Sequence, residues 1–346
     1  AVGISAVLRR PMRIDGLMIQ VGGSIGIARA RSDDDAEELL RRADVAMYQA
    51  KAVESGIAAY SSATDPHAAE RLKLISDLRE GIPRGEIVVH YQPQVEISTG
   101  RIGAVEALAR WEHPERGLLQ PGEFIELAER GGLMGGLTST VLRTALEDVA
   151  DWRGRGIAVS VAVNVSPVAL IDDELPGLVA SILAEWDLPG SALTLEITES
   201  VLMKDVARAA RLLEALSEQG VRVSVDDFGT GYSSLALLKQ LPVSEIKVDR
   251  SFVMDMSHDH NARVIVESTV QLGRALGLDV VAEGVETIET FDLIERSGCT
   301  FAQGYLFSRP VAKQQVEDQL ALDYNRLAVS VAATVRPARL ATTRTR

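Results

Sequence analysis

The chain has 346 residues, 46% hydrophobic and 25% charged, and its 36 Lys and Arg against 49 Asp and Glu give a formal net charge of −13. That balance excludes a disordered chain and argues against a binder of nucleic-acid polymers, whose affinity rests on clustered cations. A single cysteine, Cys299, excludes an internal disulfide and a cysteine-rich zinc site. No apolar run approaches the roughly 18 residues of a membrane span, and Ala1 to Arg10 lack a secretory charge order, so a cytoplasmic protein is expected.

In chain order, MRIDGLMIQVGGSIGIA predicts two paired strands and DDDAEELLRRADVAMYQAKAV one helix, which together are too little to bury an independent core. From Ile87 to Phe307 short β-branched runs alternate with helical patterns. The strands are IVVHYQ from Ile87, AVEALARW from Ala104, IAVSVAVNVS from Ile157, ALTLEITES from Ala192, VRVSVDDF from Val221, EIKVD from Glu245, DVVAEGV from Asp279 and FAQGYLF from Phe301. Between most of them lie stretches such as LTSTVLRTALEDVADWR and NARVIVESTVQLGRALG, with apolar residues three and four apart. This order predicts parallel strands, and eight such units predict an α/β fold, a closed (β/α)8 TIM-like barrel of about 250 residues. Residues 327–346 read as a disordered tail.

Side chains alternate along a strand, and the alternation here is informative. Val161, Val163 and Val165 oppose Ala162, Asn164 and Ser166; Leu193, Leu195 and Ile197 oppose Thr194, Glu196 and Thr198; Val221, Val223 and Val225 oppose Arg222, Ser224 and Asp226. The polar rows are expected to face the barrel interior and to converge at its carboxyl-terminal mouth, where such barrels keep their active sites. Glu106, Asn164, Glu196, Asp226 and Asp227 then supply an all-oxygen donor set that suits hard cations such as Mg2+ or Mn2+, and a carboxylate bridging two such ions is a recurrent device for phosphodiester cleavage. Lys247 and Asp249 share the interior parity of their strand, and a buried lysine needs acids or a phosphate beside it. Glu283 and Gln303 end the seventh and eighth strands. FGTGYSS lacks dinucleotide-fingerprint spacing and reads as a loop over the mouth. His258 and His260 read as a solvated loop, and Ser233 and Ser234 have no histidine partner at recognisable spacing.

HYQPQV, VEALARW, NVSP, LEITES, VDDFGTGYSSL, IKVDRSFV, AEGVET and QGYLFSRP occur in this order, and over residues 68–322 the chain resembles the EAL family of cyclic di-GMP phosphodiesterases. The resemblance implies hydrolysis of cyclic di-GMP to linear pGpG with two divalent cations. It makes Glu106, Asn164, Glu196 and Asp226 metal ligands, gives Asp227 to the second metal and makes Glu283 the general base. Lys247 orients the water or the phosphate. Gln92, Arg110, Gln303 and Pro310 contact the nucleotide, while Glu199 and Glu286, with Asp249, support the FGTGYSS loop, a region that family members often use in a homodimer interface. Residues 1–62 resemble the C-terminal part of a GGDEF diguanylate cyclase domain, a partial α+β remnant without that domain's signature, so no cyclase activity is expected of it. The competing readings are a catalytically silent cyclic di-GMP receptor and an unrelated metal-dependent barrel acting on another phosphate ester.

Overall fold

The computed structural model describes residues 12–14, 17–19, 23–30, 39–40, 42–43, 46–47, 50, 56–60, 68–167, 169–171, 174–199, 206–230 and 241–320. The expected tail and the end of the FGTGYSS loop lie outside them. The chain divides into two compact units, Ala1–Glu80 and Gly81–Arg346. In the first, β1 (Met12–Ile14) and β2 (Leu17–Ile19) form an antiparallel pair, so the stretch expected to hold two strands holds three with the next. A second pair joins β3 (Ile25–Ile27) to β4 (Ile57–Ala59) in parallel. Helix α1 (Ala68–Arg84) runs across the boundary between the units.

The second unit is the barrel. Its strands are β5 (Ile87–Glu96), β6 (Arg101–His113), β8 (Ser160–Asn164), β9 (Leu193–Thr198), β10 (Arg222–Phe228), β11 (Glu245–Val248), β12 (Asp279–Ala282) and β13 (Phe301–Gln303). The sheet runs β5-β13-β12-β11-β10-β9-β8-β6, and a further β6 to β5 pairing closes the ring. Short β7 (Gly117–Leu119) and β14 (Val311–Ala312) extend β6 and β5 outside it. Seven strands are parallel, but β5 is antiparallel to both neighbours, which corrects the expectation of eight parallel units. The reason is local. Only residues 97–100 separate β5 from β6, with the Gly100 N–H donating to the Glu96 carbonyl over 2.8 Å, and four residues can close a hairpin but not a parallel crossover.

The helices are α2 (Pro121–Arg130), α3 (Met134–Gly154), α4 (Leu175–Glu185), α5 (Val206–Glu218), α6 (Arg250–Asp255), α7 (His260–Leu276), α8 (Ile288–Ser297) and α9 (Lys313–Leu320). Local signals fix their ends. Asp259 accepts from the Asn261 N–H at the start of α7, which stops at left-handed Gly277; Thr287 and Gly298 do the same for α8. Val266, Val270 and Ile294 from these helices pack on Val248, Val280 and Ala282 of the sheet. Gly273 lets α7 lie close, since a Cβ there would meet the Val280 side chain at 2.4 Å. The amino-terminal end of the barrel is plugged by charge: Arg222 reaches Asp279 at 2.6 Å and Glu245 at 3.7 Å, while burial pushes the Glu245 carboxyl up.

Candidate active site

Register decides which polar residues meet. Gln92 lies opposite Glu106 across β5 and β6, and Asn164 opposite Glu196 across β8 and β9. Between β10 and β11 the register holds at Val225 with Ile246 and resumes at Phe228 with Val248, so Asp226 and Asp227 together face the single residue Lys247. That is a β-bulge, and its extra residue, Asp227, takes a left-handed backbone with φ 54°. Two consecutive acids on a regular strand would point to opposite faces. The bulge brings both to one end of the barrel, where the Asp227 N–H donates to Asp226 Oδ1 over 2.9 Å.

Lys247 is fully buried at the centre of this cluster. Its Nζ lies 2.6 Å from Glu283 Oε1, 2.9 Å from Glu196 Oε2, 3.6 Å from Asp226 Oδ1 and 3.7 Å from Glu106 Oε2. Burial would strip its proton, but the fields of the four carboxylates prevail and hold its pKa well above the ordinary lysine value. The acids respond differently. Burial pushes Glu106 up, yet Lys247 and donors on Gln303 and Asn164 bring it below its usual range. Glu196 is pushed well above, by burial and then by the Glu106 charge. Glu283 is pushed up to about 7, by burial first and then by Asp226 and Glu106 against the pull of Lys247. Asp227 is raised by burial and by Asp226 and Asp249.

Amides complete the wall. Asn164 donates to Glu106 Oε1 over 2.7 Å, Gln303 to Glu106 Oε2 over 2.5 Å, and Gln92 to the Ser308 carbonyl over 3.0 Å. The structure thus brings together Glu106, Asn164, Glu196, Asp226, Asp227, Lys247, Glu283, Gln92 and Gln303. Arg110 is buried, bonds the Ala109 carbonyl over 2.8 Å and lies in the field of Glu106 and Tyr305. Pro310 lies in the segment beyond β13, where its carbonyl meets His90. Glu199 accepts from the Gly229 N–H over 3.4 Å at the start of the FGTGYSS loop. Asp249 caps α6 by accepting from the Ser251 N–H over 3.0 Å. Glu286 is exposed beyond β12, and the loop residues 231–234 lie outside the described ones. Exposed His258 pairs with Asp255 at 3.2 Å.

Among the described residues no three His, Cys, Asp or Glu side chains stand in a metal-holding arrangement; the carboxylates are gathered on an ammonium instead. The donor set nevertheless suits hard cations, being all oxygen. One observation fits in particular: Glu196 Oε1 is buried without a hydrogen-bond partner, while Oε2 has only the Lys247 ammonium at 2.9 Å, so the carboxylate keeps an acceptor free for a further ligand. Sequence reasoning missed the Ser308 carbonyl and the Asp148 link, in which Asp148 accepts from Tyr91 and pairs with Lys313 at 2.9 Å. Backbone acceptors carry no residue-type signal, and the link joins residues far apart in the chain.

No helix among the described residues is long and apolar enough to cross a membrane. The bifunctional diguanylate cyclase/cyclic di-GMP phosphodiesterase MucR of Pseudomonas aeruginosa is 41% identical over 312 residues, covering 89% of this chain and 46% of that protein. The cyclic di-GMP phosphodiesterase PA2567 of the same organism is 36% identical over 313 residues, covering 90% and 53%. The chain therefore spans about half the length of these relatives. The solved structure of the PaMucR phosphodiesterase in complex with c-di-GMP superposes with a TM-score of 0.68 at 43% identity, covering 70% of this chain and 99% of that one. Residues 3–56 match the diguanylate cyclase, GGDEF domain. Residues 75–310, which contain all eight barrel strands, match the EAL domain, and the chain belongs to the EAL domain family.

Proposed function

We propose that this chain hydrolyses cyclic di-GMP at one phosphodiester to linear pGpG with the help of two divalent cations, Mg2+ or Mn2+. The observation that carries the reading is the convergence of Glu106, Glu196, Asp226 and Glu283 on Lys247 at one end of a family barrel. The phosphodiesterase activity named for MucR and PA2567 supports it. Glu106, Asn164, Glu196, Asp226 and Asp227 are the residues that would hold the cations, which when bound supply charge for the phosphate and lower the pKa of water.

The chain's own groups do the rest. Glu283, with its carboxyl raised to about 7, accepts the proton of the attacking water as general base. Lys247 keeps its proton and orients the water or a phosphate oxygen. Its charge also offsets the repulsion between an acidic mouth and an anionic substrate. Gln92, Arg110, Gln303 and Pro310 contact the nucleotide, and Glu199, Asp249 and Glu286 support the loop above it. The reading extends to a cytoplasmic chain with 1–62 a GGDEF-like segment and 68–322 the catalytic domain, pairing as a homodimer.

Incubating the purified chain with cyclic di-GMP and Mg2+ or Mn2+ and separating the nucleotides tests this directly. Linear pGpG is expected. Binding without turnover would make the chain a receptor, and neither binding nor turnover would overturn the substrate assignment.

A further inference from the structure

Glutamine amides present an oxygen and a nitrogen of nearly equal shape, so their orientation is set by what they bond. At the seam where β5 closes the barrel, three of them form a chain with fixed ends. Gln94 lies opposite Gln303 across β5 and β13, and Gln92 lies opposite Glu106 across β5 and β6. Gln92, Gln94, Glu106 and Gln303 are all buried. The Glu106 carboxylate and the Ser308 carbonyl can only accept. Gln303 must therefore turn its nitrogen to Glu106, 2.5 Å away, and Gln92 must turn its own to Ser308, 3.0 Å away. Gln92 Oε1 is left to accept the second hydrogen of Gln303 over 3.1 Å. Only the oxygen of Gln303 remains, and Gln94 Nε2 donates to it over 2.9 Å.

We propose that Gln94 is a positioning residue: its donor holds the Gln303 amide with both hydrogens on Glu106 and Gln92, fixing one orientation for the wall that meets the nucleotide. The inference rests on the reading that Gln303 contacts cyclic di-GMP. A second bulge aims Gln94. On β6 one extra residue, Gly103, stands between the partners of Gln94 and Val95, and a Cβ on it would lie 2.9 Å from the Phe301 ring of β13. Gly103 thus leaves room for β13 beside β5 at the step where Gln94 and Gln303 pair.

The test compares Gln94→Leu, which removes the donor, with Gln94→Glu, which replaces it by an acceptor. Leucine leaves the Gln303 oxygen buried and unpaired, so the amide loosens. KM for cyclic di-GMP should rise by about 3 to 10-fold with kcat within about twofold, the size expected for one lost hydrogen bond. Glutamate at 94 draws the Gln303 nitrogen to itself and turns a carbonyl oxygen on Glu106, so kcat/KM should fall further than with leucine.

Amide proton exchange, followed by NMR in the ligand-free protein, reads the orientation itself. Both Gln303 side-chain hydrogens should exchange slowly in the wild-type chain and quickly in Gln94→Leu. Exchange at the solvent rate in the wild type, or kinetics and exchange in both variants equal to wild type, would overturn the assignment. A wild-type chain that neither binds nor cleaves cyclic di-GMP would refute the functional reading instead, while the ligand-free exchange would still decide the role of Gln94.

Discussion

A lysine taken wholly out of water is tolerable only if its charge is matched, and Lys247 is matched four times over. The converse also holds: the acids depend on it, because Glu196 and Glu106 are buried too. Lys247→Met keeps the apolar stem and removes the charge, so the chain should lose about 3–5 kcal/mol of stability in urea titrations at neutral pH. An unchanged midpoint would show that the acids are neutralised some other way. Glu283→Gln keeps shape and removes the proton acceptor. Its kcat should fall by roughly 10²–10⁴-fold with calorimetric affinity for cyclic di-GMP little changed, and a wild-type rate would pass the base role to another group. Cys299 is a simpler case. Burial pushes its thiol up to about 12, and its Sγ donates to the Val280 carbonyl, so at pH 8 the native chain carries almost no thiolate. Iodoacetamide should leave it unmodified until denaturant is added; rapid labelling of the folded chain would contradict the packing of β12 against α8.

The bulge in β10 shows what a strand can hide from its own sequence. Strict alternation gives Asp226 and Asp227 opposite faces, and only the residue count between register points on β10 and β11 places them together opposite Lys247. Asp227 holds a left-handed backbone, which costs an ordinary side chain roughly 1–2 kcal/mol and glycine nothing. Asp227→Gly should therefore be more stable than Asp227→Ala by about 1 kcal/mol, while both lose most of their turnover because the carboxylate is gone. Equal stability of the two would mean that the bulge relaxes on substitution. Other elements were legible to different degrees. The polar rows of β8, β9 and β10 pointed Asn164, Glu196 and Asp226 into the barrel, where Asn164 meets Glu106 and the two acids meet Lys247, because the period of two survives in a barrel. The eleven residues between the runs IVVHYQ and AVEALARW are already fewer than a parallel crossover needs, a length argument that alternation alone does not supply. The glutamine chain was not legible at all, since it exists only through the pairing of β5 with both β6 and β13.

Across the whole molecule, the core and the site draw on separate sources of stability. Trp111, Trp152, Phe124 and the outward valines of the strands are buried beneath helices, away from the charged interior. At the mouth Lys247 already neutralises part of the acid cluster, and at the opposite end Arg222 does the same for Asp279 and Glu245. A barrel built this way does not need cations to close, unlike small domains whose folding energy is the metal itself. Exhaustive chelation should therefore abolish hydrolysis of cyclic di-GMP while leaving the far-ultraviolet circular dichroism unchanged and lowering the melting temperature by only a few degrees, the size of a linkage term of about 1–3 kcal/mol. Mg2+ or Mn2+ added back should restore turnover without refolding. Ca2+, with longer bonds and looser geometry, should restore binding more than rate. Full activity in the chelated protein would remove the cations from the mechanism, and cooperative unfolding on chelation would show that Lys247 does not carry the balance assigned to it.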